Sequence, residues 1–162
     1  MKHIAIPHPH LWHAREPLWR YVLSGDVATV LTAPVIYALL VPFVVLDASV
    51  MLYQAICFRV WGISLVGRRG YIVIDRHRLS YLNGLQKMNC MYCSYVNGLI
   101  AYVREVAART EQYWCPIRHA APVRGSHRRA RLFARYGDAV GYRVSAPALR
   151  ARLRVPSQRR GR

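Results

Sequence analysis

Acidic residues are scarce in this sequence: 7 Asp and Glu stand against 24 Lys and Arg, a formal charge of +17 over 162 residues. A paired-carboxylate site is therefore not supported. The closest candidates, Glu105 and Glu111, are six residues apart on a helix and do not face each other. Hydrolytic and phosphoryl-transfer motifs are missing too, with no G-x-S-x-G, no phosphate-cradling glycine loop and no H-E-x-x-H. Cysteine is limited to Cys57, Cys90, Cys93 and Cys115. In a reducing compartment four thiols do not make a disulfide framework, and metal or redox chemistry gains weight.

What the chain has in abundance is apolar length. Val27 to Leu46 reads VATVLTAPVIYALLVPFVVL, without a charge, amide or histidine. At ~1.5 Å per residue, these side chains make a helix about as long as a hydrocarbon core is thick, ~30 Å. No polar face appears at a helical period, and a chain this short has little else to bury such a helix. The fold class expected is an all-α membrane protein with one transmembrane helix or a hairpin of two. Run as one helix, Val27 to Trp61 would measure about 52 Å, too long for one bilayer. It can cross and project, cross and then lie along the surface, or turn at Asp47 and cross again. No Gly or Asn near Asp47 makes a turn, so one crossing with a peripheral continuation is favoured. Asp47 itself reads as an interfacial residue at the end of the span.

Charge orients the segment. From Gly67 onward 20 Lys or Arg face 4 Asp or Glu, whereas the first 26 residues carry Lys2, Arg15 and Arg20 against Glu16 and Asp26. The basic excess marks the cytoplasmic side, so the C-terminal region is expected in the cytoplasm. The apolar run lacks a cleavage-site pattern and reads as a retained anchor.

Four regions follow: an interfacial N-terminal segment (1–26), the membrane helix region (27–66), a cytoplasmic helical unit (67–121) and a basic tail (122–162). In the first, Trp12 and Trp19 with Arg15 and Arg20 suit headgroup level. His8, His10 and His13 are separated by prolines or loop residues and lack a fixed ligand geometry. In the third, a helix beginning at Asp75 and a second from about Asn97 to Tyr113 are expected to form a small hairpin, with Asn83-Gly84 weakening the first. Leu99, Ile100, Val103, Val106, Ala107 and Tyr113 share one face of the second. Arg104, Glu105, Ala108, Arg109 and Gln112 line the other. The fourth holds twelve arginines from Ala120 on against Asp138 alone, and reads as disordered.

Chemistry is expected where cysteine and histidine gather. Cys90-Met91-Tyr92-Cys93 followed by Cys115 and His119 offers three thiolates and one imidazole, a tetrahedral zinc set. An iron–sulfur cluster is the lesser metal alternative, and a reactive C-x-x-C dithiol or plain buried cysteines the non-metal ones. A straight helix over 97–113 would hold Cys93 and Cys115 about 25 Å apart, which demands a shorter helix, separate sites or an antiparallel homodimer. In the tail, Arg128, Arg129, Arg131 and Arg135 are expected to bind anionic lipid in preference to nucleic acid, because a tethered chain stays near the bilayer.

The run Tyr81 to Ala121, with its paired cysteines Cys90 and Cys93 and its ending Trp114-Cys115-Pro116-Ile117-Arg118-His119, together with HPHLWHAREPLWRYVLSGD near the start, resembles an uncharacterised family of small bacterial membrane proteins. The resemblance covers about residues 8–121 and implies a bacterial inner membrane, with no activity or cofactor attached. The residues alone point to a membrane-anchored, zinc-binding protein with a binding or scaffold role and a partner the sequence does not name. The alternatives are a membrane-bound thiol redox or iron–sulfur protein, and a module for anionic lipid or nucleic acid.

Overall fold

The structure, a computed structural model, describes residues 26–154. The interfacial segment expected before Asp26, with His8, His10 and His13, lies outside the described residues, as do residues 155–162. The described chain is mostly helical and contains no strands, only two isolated bridges, Ile63 with Arg154 and Ile117 with Ala134.

The apolar run forms α1 (Val27–Ala38) and α2 (Leu40–Tyr53), which continue through a π-helical turn (Gln54–Phe58) to Trp61. α1 and α2 part at Leu39, where Pro42 cannot donate to the Ala38 carbonyl. No turn forms at Asp47; the helix passes straight through it. Val30–Trp61 is one helix long and apolar enough to cross a membrane. Only 6% of its most apolar window is buried, so it is not the core helix of this fold. Gly62 ends the rod in the left-handed region, at φ 69°, the conformation that favours glycine.

The expected hairpin of two short helices is replaced by one helix, α3 (Gly84–Trp114). Asn83-Gly84, read as a weak point inside a helix, is its beginning. Asn83 accepts from the Gln86 N–H at 2.9 Å, and Gln86 returns the bond to the Asn83 N–H at 2.9 Å. This capping box offsets the unpaired donors of the first turn. Asn83→Ala is expected to cost about 1 kcal/mol in thermal unfolding.

α3 runs parallel to the rod. Tyr37 meets Asn89 and Tyr92, Asp47 meets Tyr95, Gln54 meets Tyr102, and Trp61 meets Tyr113 and Trp114. α3 therefore starts at about the level of Thr32, five residues below the Asn89 contact at ~1.5 Å per residue. Parallel helices need a return path, and residues 62–83 supply it as an irregular connector running back along α3. Two polar clamps hold it. Arg68 donates to both Asp47 oxygens, at 3.0 and 2.5 Å, while Tyr95 donates to Asp47 at 2.9 Å. One helical stretch further on, Gln54 exchanges two bonds with the Val66 backbone, at 2.7 and 3.3 Å, and its amide also donates to the Tyr102 hydroxyl at 3.2 Å. Asp47 is thus a buried clamp (6% exposed) and not a bare interfacial residue. Burial and the Asp47 carboxylate push the Tyr95 hydroxyl above its ordinary value, which keeps it a donor. Around these clamps Phe58, Ile63, Val66, Leu99, Tyr102, Val106 and Leu153 form the core.

The basic region is not a disordered tail as far as Arg154. It contains a 3-10 turn (Arg128–Leu132) and α4 (Ala139–Ala151), whose first turn is capped by Asp138 accepting from the Gly141 N–H at 2.7 Å. Five of its apolar residues, Phe133, Ala134, Ala146, Leu149 and Leu153, are buried, while Val123, Leu132, Tyr136, Val140 and Val144 stay exposed. The buried residues suffice because α3 is a ready-made surface, so the segment does not have to order itself alone. This changes α3 as well. Ala108 and Gln112, assigned to the solvent face, are buried, and the Gln112 amide donates to the Leu149 carbonyl at 2.7 Å. Ile100, assigned to the apolar face, is 49% exposed.

Candidate functional site: a basic cavity beside α3

Glu105 on α3 is the fastening point for the basic segment. It accepts from Arg109 one turn on at 2.9 Å, and from Arg129 at 2.6 and 3.2 Å; Arg129 also donates to the Gln112 side chain at 2.8 Å. Six residues further along α3, Glu111 pairs with His127 at 2.7 Å. Both glutamates are committed to holding down the 3-10 turn. Burial pushes the Glu105 carboxyl up, but the bonds from Arg129 and Arg109 outweigh it and hold the pKa below the ordinary 4.5. A depressed carboxyl contributes stability above about pH 4.5, and loses it as the pH falls through the folded-state value. Glu105→Gln is therefore expected to lower stability by ~1 kcal/mol at pH 7 and to flatten the acid limb of a pH–stability profile.

Between α3 and the segment 117–131 lies a cavity of about 420 Å³, lined among others by Arg104, Arg118, Arg131, His119, His127 and Glu111. Arg104 donates to the Gly125 carbonyl, and Arg118 to those of Phe133 and Arg131. Those bonds use part of each guanidinium and fix its direction, leaving further N–H groups for a ligand. The one acid in the wall, Glu111, already has His127 as its partner. An open, concave surface with this charge and donor supply can accept an oxyanion such as phosphate.

The cysteine and histidine candidates fall in separate places. Cys90 and Cys93 lie in the first half of α3, half-buried and exposed respectively, while Cys115 is the exposed C-cap of that helix. With 25 residues of continuous helix between them, Cys90 and Cys115 are about 37 Å apart at ~1.5 Å per residue. Within one chain the four side chains do not meet at a single ion. Among the described residues no group of three or more His, Cys, Asp or Glu is arranged to hold a metal. His119 lines the basic cavity. Of the expected lipid-binding arginines, Arg129 is committed to Glu105 and Gln112, whereas Arg128, Arg131 and Arg135 are exposed.

Sequence reasoning missed the Asp47 and Gln54 clamps, although a signal was there. The two polar residues are seven apart in an otherwise apolar helix, which puts them on one face. The cavity had no comparable signal, because arginine-rich composition does not say which arginines converge. No protein-family model, curated protein or solved structure matches this chain.

Proposed function

We propose that this protein is a membrane-anchored binding module, and that its basic cavity takes a phosphate-bearing anion. The apolar rod supports the first half of this reading and the convergence of Arg104, Arg118 and Arg131 around one cavity carries the second. Anionic headgroups at the cytoplasmic surface and free phosphate esters share the chemistry this wall recognises. Nothing in the wall pairs a nucleophile with a base, so binding is favoured over catalysis.

The two sources are separated by titrating detergent-solubilised full-length protein with inorganic phosphate, and reconstituted protein with vesicles containing phosphatidic acid. Arg131→Gln removes a guanidinium that lines the cavity while the fold uses only its carbonyl. It is expected to weaken phosphate binding about tenfold, the loss of one charge-assisted contact. Arg143→Gln makes the same charge change at an exposed position on α4, away from the cavity, and is expected to change affinity less than about twofold. Equal losses in the two variants would mean a diffuse charge effect and overturn the site.

A further inference from the structure

The exposed side of the rod is longer than a bilayer is thick. Val27, Leu31, Val35, Val45, Ile56 and Val60 are exposed and share the side of the helix opposite Asp47 and Gln54, with exposed Ser49 within the stripe and Arg59 at its edge. At ~1.5 Å per residue the stripe runs about 50 Å, against ~30 Å of hydrocarbon. A helix standing upright would leave one end of it, around Ile56 and Val60, in water. The clamped side raises a second difficulty. The connector returns to the level of Thr32, so Asp75, Arg76 and Arg78, all exposed, lie beside the rod's first half, on a single 3-10 turn set in irregular backbone. Such backbone and such charges do not face acyl chains.

We propose that the rod lies lengthwise in one leaflet, its outer stripe among the acyl chains and α3, the connector and the basic segment on the water side. This rests on the membrane-anchoring reading above. Three features agree on one occupant, the bilayer. Between Val27 and Trp61 the only charges are Asp47, turned inward to Arg68, and Arg59, whose long side chain reaches headgroups from the stripe's edge. The arginines of the connector and the basic segment lie off the stripe, on the α3 side, where lengthwise placement leaves them in water and not among acyl chains. Leu79, Tyr81 and Val73 are exposed among the connector's charges, the mixture that suits a headgroup layer and not its interior.

The test uses full-length protein with its native cysteines replaced by serine, carrying a nitroxide label at Val35→Cys or Ile56→Cys, reconstituted in phosphatidylglycerol–phosphatidylethanolamine vesicles. The two positions are both exposed and about 32 Å apart along the rod. A label at Arg143→Cys serves as the water reference. Lengthwise placement requires both rod labels to be oxygen-accessible, and several-fold less accessible to a soluble nickel chelate than the reference. Val35→Cys in lipid with Ile56→Cys in water would overturn the lengthwise placement and leave the anchor standing. Both labels in water would overturn the anchor as well. Low access to oxygen and nickel alike would mean that a second protein surface, not lipid, covers the stripe, and would overturn the proposal.

Discussion

Asp47→Ala is expected to destabilise the protein by about 2–3 kcal/mol, measured as unfolding in detergent micelles. The substitution deletes the acceptor shared by Arg68 and Tyr95 and leaves both donors facing a gap in an otherwise apolar contact. Removing one partner of a buried pair costs more than the pair contributes, because the remaining group keeps its desolvation penalty. Arg68 is 39% exposed and can turn its guanidinium to water, which sets the effect at the lower end for such pairs. The paired change Asp47→Leu with Arg68→Met replaces both polar groups and should recover much of the loss. An Asp47→Ala protein that unfolds like the wild type would show that the connector is held by something else.

Gly98→Val is the second large effect. A Cβ at Gly98 would stand 2.5 Å from the Tyr71 carbonyl oxygen and 2.9 Å from the Ile72 Cα, and both are backbone atoms. Neither can swing aside as a side-chain tip can, so the connector has to lift away from α3. The expected cost is about 2–3 kcal/mol, with Gly98→Ala close behind. Gly84→Ala is the control. A Cβ there meets nothing within 4 Å, and alanine restricts the unfolded chain more than glycine does, so stability should stay level or rise slightly. Similar losses at both glycines would mean that α3 tolerates no substitution on general grounds, and that the close backbone approach is not what matters.

How far the sequence could be read depended on whether the information was local. The apolar rod was legible because twenty uncharged residues need no tertiary context to form a helix long and apolar enough to cross a membrane. The all-helical class followed with it. The expected pair, a helix begun at Asp75 and another from about Asn97, misplaced the start at Asn83-Gly84, where Gly looks like a weak point and Asn is in fact a cap answered by Gln86 three residues on, and missed that the helix continues through Cys90 and Cys93. That capping-box spacing was visible in the sequence. The ordering of the basic region was not. Its arginines look solvated until Glu105, Glu111 and Gln112 are known to face them, and that pairing depends on packing between segments up to 37 residues apart. The parallel course of α3 was equally hidden, since a connector of 22 irregular residues carries no periodic signal of its direction. The cysteine spacing suggested one site, and the continuity of α3 separates its halves.

Vesicle flotation of the purified full-length protein, at low and at high salt, tests the membrane anchor most directly. A rod held by apolar burial should carry the chain to the top of the gradient with anionic vesicles, and should do so with little change when salt is raised to screen the arginines. Protein that stays at the bottom of the gradient, or floats only at low salt, would contradict the anchor and leave the basic surface as the sole contact with lipid.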